Sequence, residues 1–153
     1  MRVFISHKQE DEIPAKYIYE RLSDLGVKAY LDLLEGDLFL DGEELTNHIK
    51  ENLNSCTDIL VVMSERTKES WWVPFEIGMA AQKDFPIVSY LINNVDLPDY
   101  LEYWPTLRRT TDLQKYVNAK QSVLNESYSG NKGLFNANYS ETKEFYKKLK
   151  EIL

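Results

Sequence analysis

Glu76 stands four residues after Trp72 in the segment Trp72-Val73-Pro74-Phe75-Glu76. On a helix, residues four apart share a face, so the indole and the carboxylate lie side by side. Pro74 fits only a first helical turn, which places both near the helix amino end. Indole surface disfavours an ionised carboxylate by excluding water, whereas the helix amino end favours it. An ionised carboxylate beside an aromatic shelf suits one chemistry well. It can bind ribose hydroxyls and stabilise the positive charge that develops on an anomeric carbon as an N-glycosidic bond breaks. The shelf would meanwhile stack on a base or position the leaving group. Acidic residues are equally favoured in first turns that do no chemistry, and aromatic stripes usually belong to a core.

A second group of candidates is Ser6-His7-Lys8, at the end of the apolar run Val3-Phe4-Ile5. A polar residue ending a strand serves either to cap the next loop or to touch a ligand. Lys8 suits a phosphate and equally suits a solvated surface. The acidic loop Asp32-Leu-Leu-Glu-Gly-Asp-Leu-Phe-Leu-Asp-Gly, with Asp37 at its middle, is the third group. Its charge repels a diphosphate unless the loop moves or offers backbone N–H groups, for which Gly36 and Gly42 supply freedom. His48 has no evident partner and receives no role. Cys56, at the entry to a buried strand, reads as inert packing.

Alternating strands and helices must position these groups. Strands are expected over Arg2–Ser6, Val27–Leu31, Ile59–Met63 and Pro86–Ile92, each a short apolar run of the kind buried on both faces of a parallel sheet. Helices are expected between them. The first spans Ile13–Leu25, with Ile13, Tyr17, Ile18, Leu22 and Leu25 on one face and Gly26 as terminator. The next two span Glu43–Asn54, carrying Leu45, Ile49 and Leu53, and Trp72–Gln82. This alternation predicts right-handed crossovers and an α/β fold: a flavodoxin-like, doubly wound, five-stranded parallel sheet with helices on both faces. Ligands of such sheets bind beyond the carboxyl ends of the strands, where the strand order reverses. The three candidate groups converge there.

After Ile92 the pattern weakens. A short helix over Leu97–Tyr103, an edge strand over Thr106–Thr111 and a helix over Leu113–Lys120 are expected. Residues 125–140, rich in Asn, Ser and Gly, read as a loop, and a last helix covers Glu141–Ile152 with Phe145, Tyr146, Leu149 and Ile152 on one face. The 153 residues are expected to form one domain, with a core over residues 1–112 and a loop-rich extension and last helix over 113–153.

Composition narrows the function classes. A formal net charge of −7 disfavours a nucleic-acid backbone or an anionic membrane as partner. One cysteine and two histidines allow no disulfide and no cysteine cluster, so no metal is expected. No segment approaches the roughly 20 apolar residues of a membrane span, and the first ten residues turn polar too early for a secretory signal, so a cytoplasmic location is expected. A phosphorelay receiver would need an acidic pair after the first strand and an aspartate ending the third. Ser6-His7 and Ser64 stand there instead.

In order and spacing these segments resemble the TIR domain family. Val3-Phe4-Ile5-Ser6-His7 is similar to its first box, Leu31-Asp32 with Gly42-Glu-Glu-Leu45 and Ile49 to its second box and loop, and Ile59–Ser64 with Trp72 and Glu76 to its third strand and W-x-x-x-E segment. The resemblance covers about residues 2–92. It implies cleavage of NAD at the nicotinamide–ribose bond, with Glu76 as the essential residue and Phe4, Ser6, His7, Lys8, Asp37 and Trp72 around the substrate. The implied product is ADP-ribose or a cyclic isomer of it, with NAD as substrate and no cofactor. Self-assembly through contacts between TIR domains is implied as well. The chain is also similar to the short TIR proteins of bacterial Thoeris antiphage defence, which make a cyclic nucleotide signal for a separate effector. A domain starting at Met1 with no appended domain fits that group, and Leu97–Leu101 and Trp104-Pro105 resemble it more weakly. The acidic loop lacks the Arg-Asp and Pro-Gly of many signalling TIR domains, which weakens the alternative of a non-catalytic interaction module.

Overall fold

The computed structural model describes residues 1–31, 42–128 and 140–153. Five strands, β1 (Arg2–Ser6), β2 (Lys28–Leu31), β3 (Asp58–Met63), β4 (Ile87–Leu91) and β5 (Thr106–Leu107), form one sheet in the order β2-β1-β3-β4-β5. Every pairing is parallel. The chain steps from β1 to β2 in one direction, then passes back over β1 to β3 and continues the other way. Right-handed crossovers therefore put α1 (Glu12–Asp24) on one face, and α2 (Gly42–Asn54) and α3 (Trp72–Gln82) on the other. The last two helices, α4 (Thr110–Tyr128) and α5 (Glu141–Ile152), return to the face of α1.

Two cores follow from the pleat. Val3, Ile5, Leu60, Val62 and Val88 point to α1, α4 and α5, where Ile18, Leu22, Tyr116, Val117, Phe145 and Leu149 meet them. Their alternate neighbours Phe4, Ile59, Val61, Met63, Ile87 and Leu91 point to Leu53 of α2 and to Val73, Ile77 and Ala80 of α3. At the end of α1, Gly26 takes φ 73°, and Val27 N–H donates to the Leu22 carbonyl at 2.9 Å, the closed turn for which a glycine is needed.

Several expectations need correction. Ile13 is 83% exposed and Tyr17 is half exposed; α1 presents Ala15, Ile18 and Leu22 to the sheet instead. Leu97–Tyr103 is a single 3-10 turn at Asp99–Leu101, and the last strand stops at Leu107. It stops because the Asp112 carboxylate accepts the N–H groups of Arg108 and Arg109, at 3.1 and 3.0 Å, and turns the chain into α4. That helix runs from Thr110 to Tyr128, longer than the expected Leu113–Lys120, so residues 125–128 are helical rather than loop. Among the described residues after β5, α4 and α5 pack on each other, with Tyr116 and Phe145 in edge-to-face contact at 5.7 Å. Residues 129–139 of the expected loop lie outside the described residues.

Candidate functional site

The site forms where the strand order reverses, above β1 and β3. Ser6 is the last residue of β1, aligned with Val61 of β3, and shares the pleat face of Phe4. That face looks toward α2 and α3. The helix α3 begins after a turn at Thr67–Glu69, and the Ser70 hydroxyl accepts the N–H of Val73 at 3.3 Å. Pro74, third in the helix, has no N–H to satisfy and costs nothing there.

Within α3 the buried residues are Val73, Glu76, Ile77 and Ala80, at the spacing of one helical stripe. Glu76 therefore occupies a core position. It is 2% exposed, among side chains that are otherwise apolar. A carboxylate there is costly unless polar groups meet it. Ser6 does so: its hydroxyl donates to Glu76 Oε2 at 2.5 Å, across seventy residues of sequence. A hydroxyl donor stabilises a carboxylate without cancelling its charge.

Trp72 is partly buried at the rim, its ring 4.1 Å from that of Trp71 and edge-on to Phe75 at 5.7 Å. Trp71 is 71% exposed, and its ring plane is tilted 31° from that of Trp72. Phe4 is fully buried beneath Ser6, and His7 is buried beside it. Lys8 lies 3.2 Å from Glu10, with which it forms a surface ion pair. Asp37 lies outside the described residues. The structure thus joins Ser6 to Glu76 directly, buries Phe4 on the same pleat face as Ser6, and places Trp72 one turn before Glu76.

Residues that the sequence reading passed over surround this centre. Tyr30 of β2 is the register partner of Phe4, with rings 5.4 Å apart, and its phenol lies 2.9 Å from His48 Nε2. His48 therefore has a partner, and Asn52 of the next turn reaches the same imidazole at 3.0 Å. On the other side, buried Asp11 accepts hydrogen bonds from the Ser64 hydroxyl and, at 2.6 Å, from Thr67 Oγ1. Ser64 follows β3 directly, as Ser6 closes β1, so each puts a hydroxyl at a strand terminus. For Tyr30 the strand alignment alone places it beside Phe4.

A groove of about 650 Å³ runs between α2 and α3, lined by Lys50, Asn54, Pro74, Phe75 and Met79 among others. It shares Phe75 with the aromatic cluster. Cys56 is buried in the core on this face, and burial pushes its thiol up, so little nucleophilic thiolate forms. Among the described residues no group of three or more His, Cys, Asp and Glu side chains is gathered for a metal, and no helix is long and apolar enough to cross a membrane.

The chain is similar over 80 residues, at 29% identity, to a probable 3' cyclic ADP-D-ribose synthase, ThsB', of Bacillus cereus (strain MSX-D12). That match takes in 50% of this chain and 41% of the relative, so well under two thirds of the relative's length is represented. A match to the TIR domain covers residues 3–124, from β1 into α4, and includes every described residue of the Ser6–Glu76 site. The chain belongs to the TIR domain family.

Proposed function

We propose that this protein cleaves NAD at the bond between nicotinamide and ribose, and that it captures the ribosyl cation to form a cyclic isomer of ADP-ribose in preference to ADP-ribose itself. The observation that carries this reading is a buried carboxylate, Glu76, in the core stripe of α3 and held by Ser6 at the strand ends. The cyclic product rests on the similarity to the probable cyclic ADP-D-ribose synthase of Bacillus cereus.

Departure of nicotinamide takes the bonding electron pair to the pyridinium nitrogen, which becomes neutral, and leaves positive charge on the anomeric carbon. Glu76 would stabilise that charge and hold the ribose hydroxyls, with Ser6 fixing the carboxylate. Trp72, with Trp71 tilted against it, supplies an aromatic wall for the leaving ring. Water capturing the cation loses a proton and yields ADP-ribose; a nucleophilic atom of the bound nucleotide does the same and closes a ring. No metal is needed for either route. The product would act as a signal to a separate effector protein in antiphage defence, and NAD turnover would be raised by TIR–TIR self-assembly in the cytoplasm.

The decisive measurement is NAD turnover by the purified protein and by Glu76→Gln, with products separated against linear and cyclic ADP-ribose. Removing one stabiliser of transition-state charge lowers kcat by about 10²- to 10³-fold. Intact NAD with the wild-type protein, at high concentration and with crowding agents to promote assembly, refutes the enzyme and leaves an interaction module.

A further inference from the structure

We propose that Asp11 is a positioning residue for this site, acting as a latch between the two connections that carry Ser6 and Glu76. The inference rests on the NAD-cleaving reading above. Asp11 ends the 3-10 turn that follows β1, five residues beyond Ser6, and its N–H is held by the Lys8 carbonyl at 2.8 Å. Its buried carboxylate reaches the connection after β3. There Oδ2 accepts from both Ser64 and Thr67 hydroxyls.

The receiving side is itself organised around those hydroxyls. Ser64 Oγ also accepts the N–H groups of Arg66 and Thr67, at 3.1 and 3.2 Å, and Arg66 reaches the Glu10 carbonyl at 3.3 Å. Thr67 opens the 3-10 turn that ends at Ser70, the residue whose hydroxyl starts α3. Asp11 thus fixes the segment that decides where α3 begins, and Glu76 sits just beyond the first turn of that helix. Ser6 meets Glu76 on one side, and on the other Asp11 meets Ser64 and Thr67, with Arg66 on the Glu10 carbonyl beside them. A shift of one connection against the other moves Glu76 relative to Ser6. Misplacement of about 1 Å by a residue outside the chemistry is able to cost on the order of 10²-fold in rate.

The test compares Asp11→Asn and Thr67→Val with Thr67→Ser, which restores the hydroxyl, and with Asp58→Asn at the opposite end of the sheet. Steady-state kinetics on NAD and thermal midpoints are measured for each. The latch predicts a fall in kcat of about 10- to 100-fold in Asp11→Asn and Thr67→Val with KM changed less than about threefold, and recovery in Thr67→Ser. It also predicts that Asp11→Asn and Ser6→Ala are non-additive, because both loosen the same carboxylate. Asp58→Asn should lower the midpoint without lowering kcat of the folded protein. Should Asp11→Asn not fold, the Thr67 pair decides the matter. Unchanged kcat in Thr67→Val, or losses that merely follow the midpoint as in Asp58→Asn, overturns the latch and leaves the enzyme standing. A wild-type protein inert toward NAD overturns both.

Discussion

Buried carboxylates occupy both ends of the sheet, and the two ends treat them differently. At the amino end of β3, Asp58 is fully buried and meets Lys120 of α4, whose ammonium lies 2.8 Å from Oδ1. The Thr57 hydroxyl donates to Oδ2 at 2.5 Å, and the Lys120 ammonium also stands 5.5 Å from the Phe145 ring. Burial, with the Asp58 charge behind it, holds the neighbouring Tyr116 phenol well above its ordinary range. At the carboxyl end, Glu76 and Asp11 are met by the hydroxyls of Ser6, Ser64 and Thr67. A lysine neutralises a carboxylate and fastens one helix to a strand. Hydroxyls hold a carboxylate in place and bring no compensating charge of their own. The first arrangement suits structure, the second chemistry.

Changes at the two ends should therefore separate stability from turnover. The largest effect on stability is expected for Lys120→Ala, which leaves Asp58 buried and unpaired, at a loss of about 3–5 kcal/mol. Urea unfolding would show it, while kcat of the folded protein stays at the wild-type value. A fall in kcat matching that of Glu76→Gln would break the comparison. Ser6→Ala is next: kcat should drop roughly tenfold, as expected for losing a hydrogen bond to a charged group, and the urea midpoint should fall by less than in Lys120→Ala. The smallest effect concerns Tyr146. Its phenol is pushed up to about 12, chiefly by burial. An unfolded tyrosine ionises near pH 10, so the stabilisation is complete below that pH and lost as pH rises through about 12. Stability measured across that window should decline less in Tyr146→Phe.

The sequence made some of this legible and hid the rest for identifiable reasons. Bounds expected for β1, α3 and α5 coincide with those observed, because each had several signals in agreement. α5, for example, combines an apolar stripe with Ser140, whose hydroxyl accepts the N–H of Lys143 at its start. The length of α4 was hidden by its Asn and Ser content. Packing of Tyr116, Val117, Lys120 and Val123 outweighs that local preference. Misassigning Ile13 and Tyr17 to the core has a similar origin, since helical spacing fixes a stripe only to within about one residue. At the site, topology alone brought Ser6 and Glu76 to one edge. Nothing local in the sequence shows Asp11 meeting Thr67 across 56 positions, or Tyr30 meeting His48 across 18.

The phenol of Tyr146 has one more consequence. Along β4, the N–H of Ser89 points to the β5 side and donates to the Pro105 carbonyl at 3.1 Å. Ile87, two residues earlier, points the same way but precedes the two-residue β5, and its N–H donates to Tyr146 Oη at 2.8 Å. A side chain from the last helix finishes a ladder that a longer strand would otherwise complete. Open strand margins are where sheets of separate molecules join and aggregate. With β5 so short and a phenol occupying the donor below it, this margin gives an incoming strand little to pair with. At this margin, copies of the protein that associate would not do so by extending the sheet.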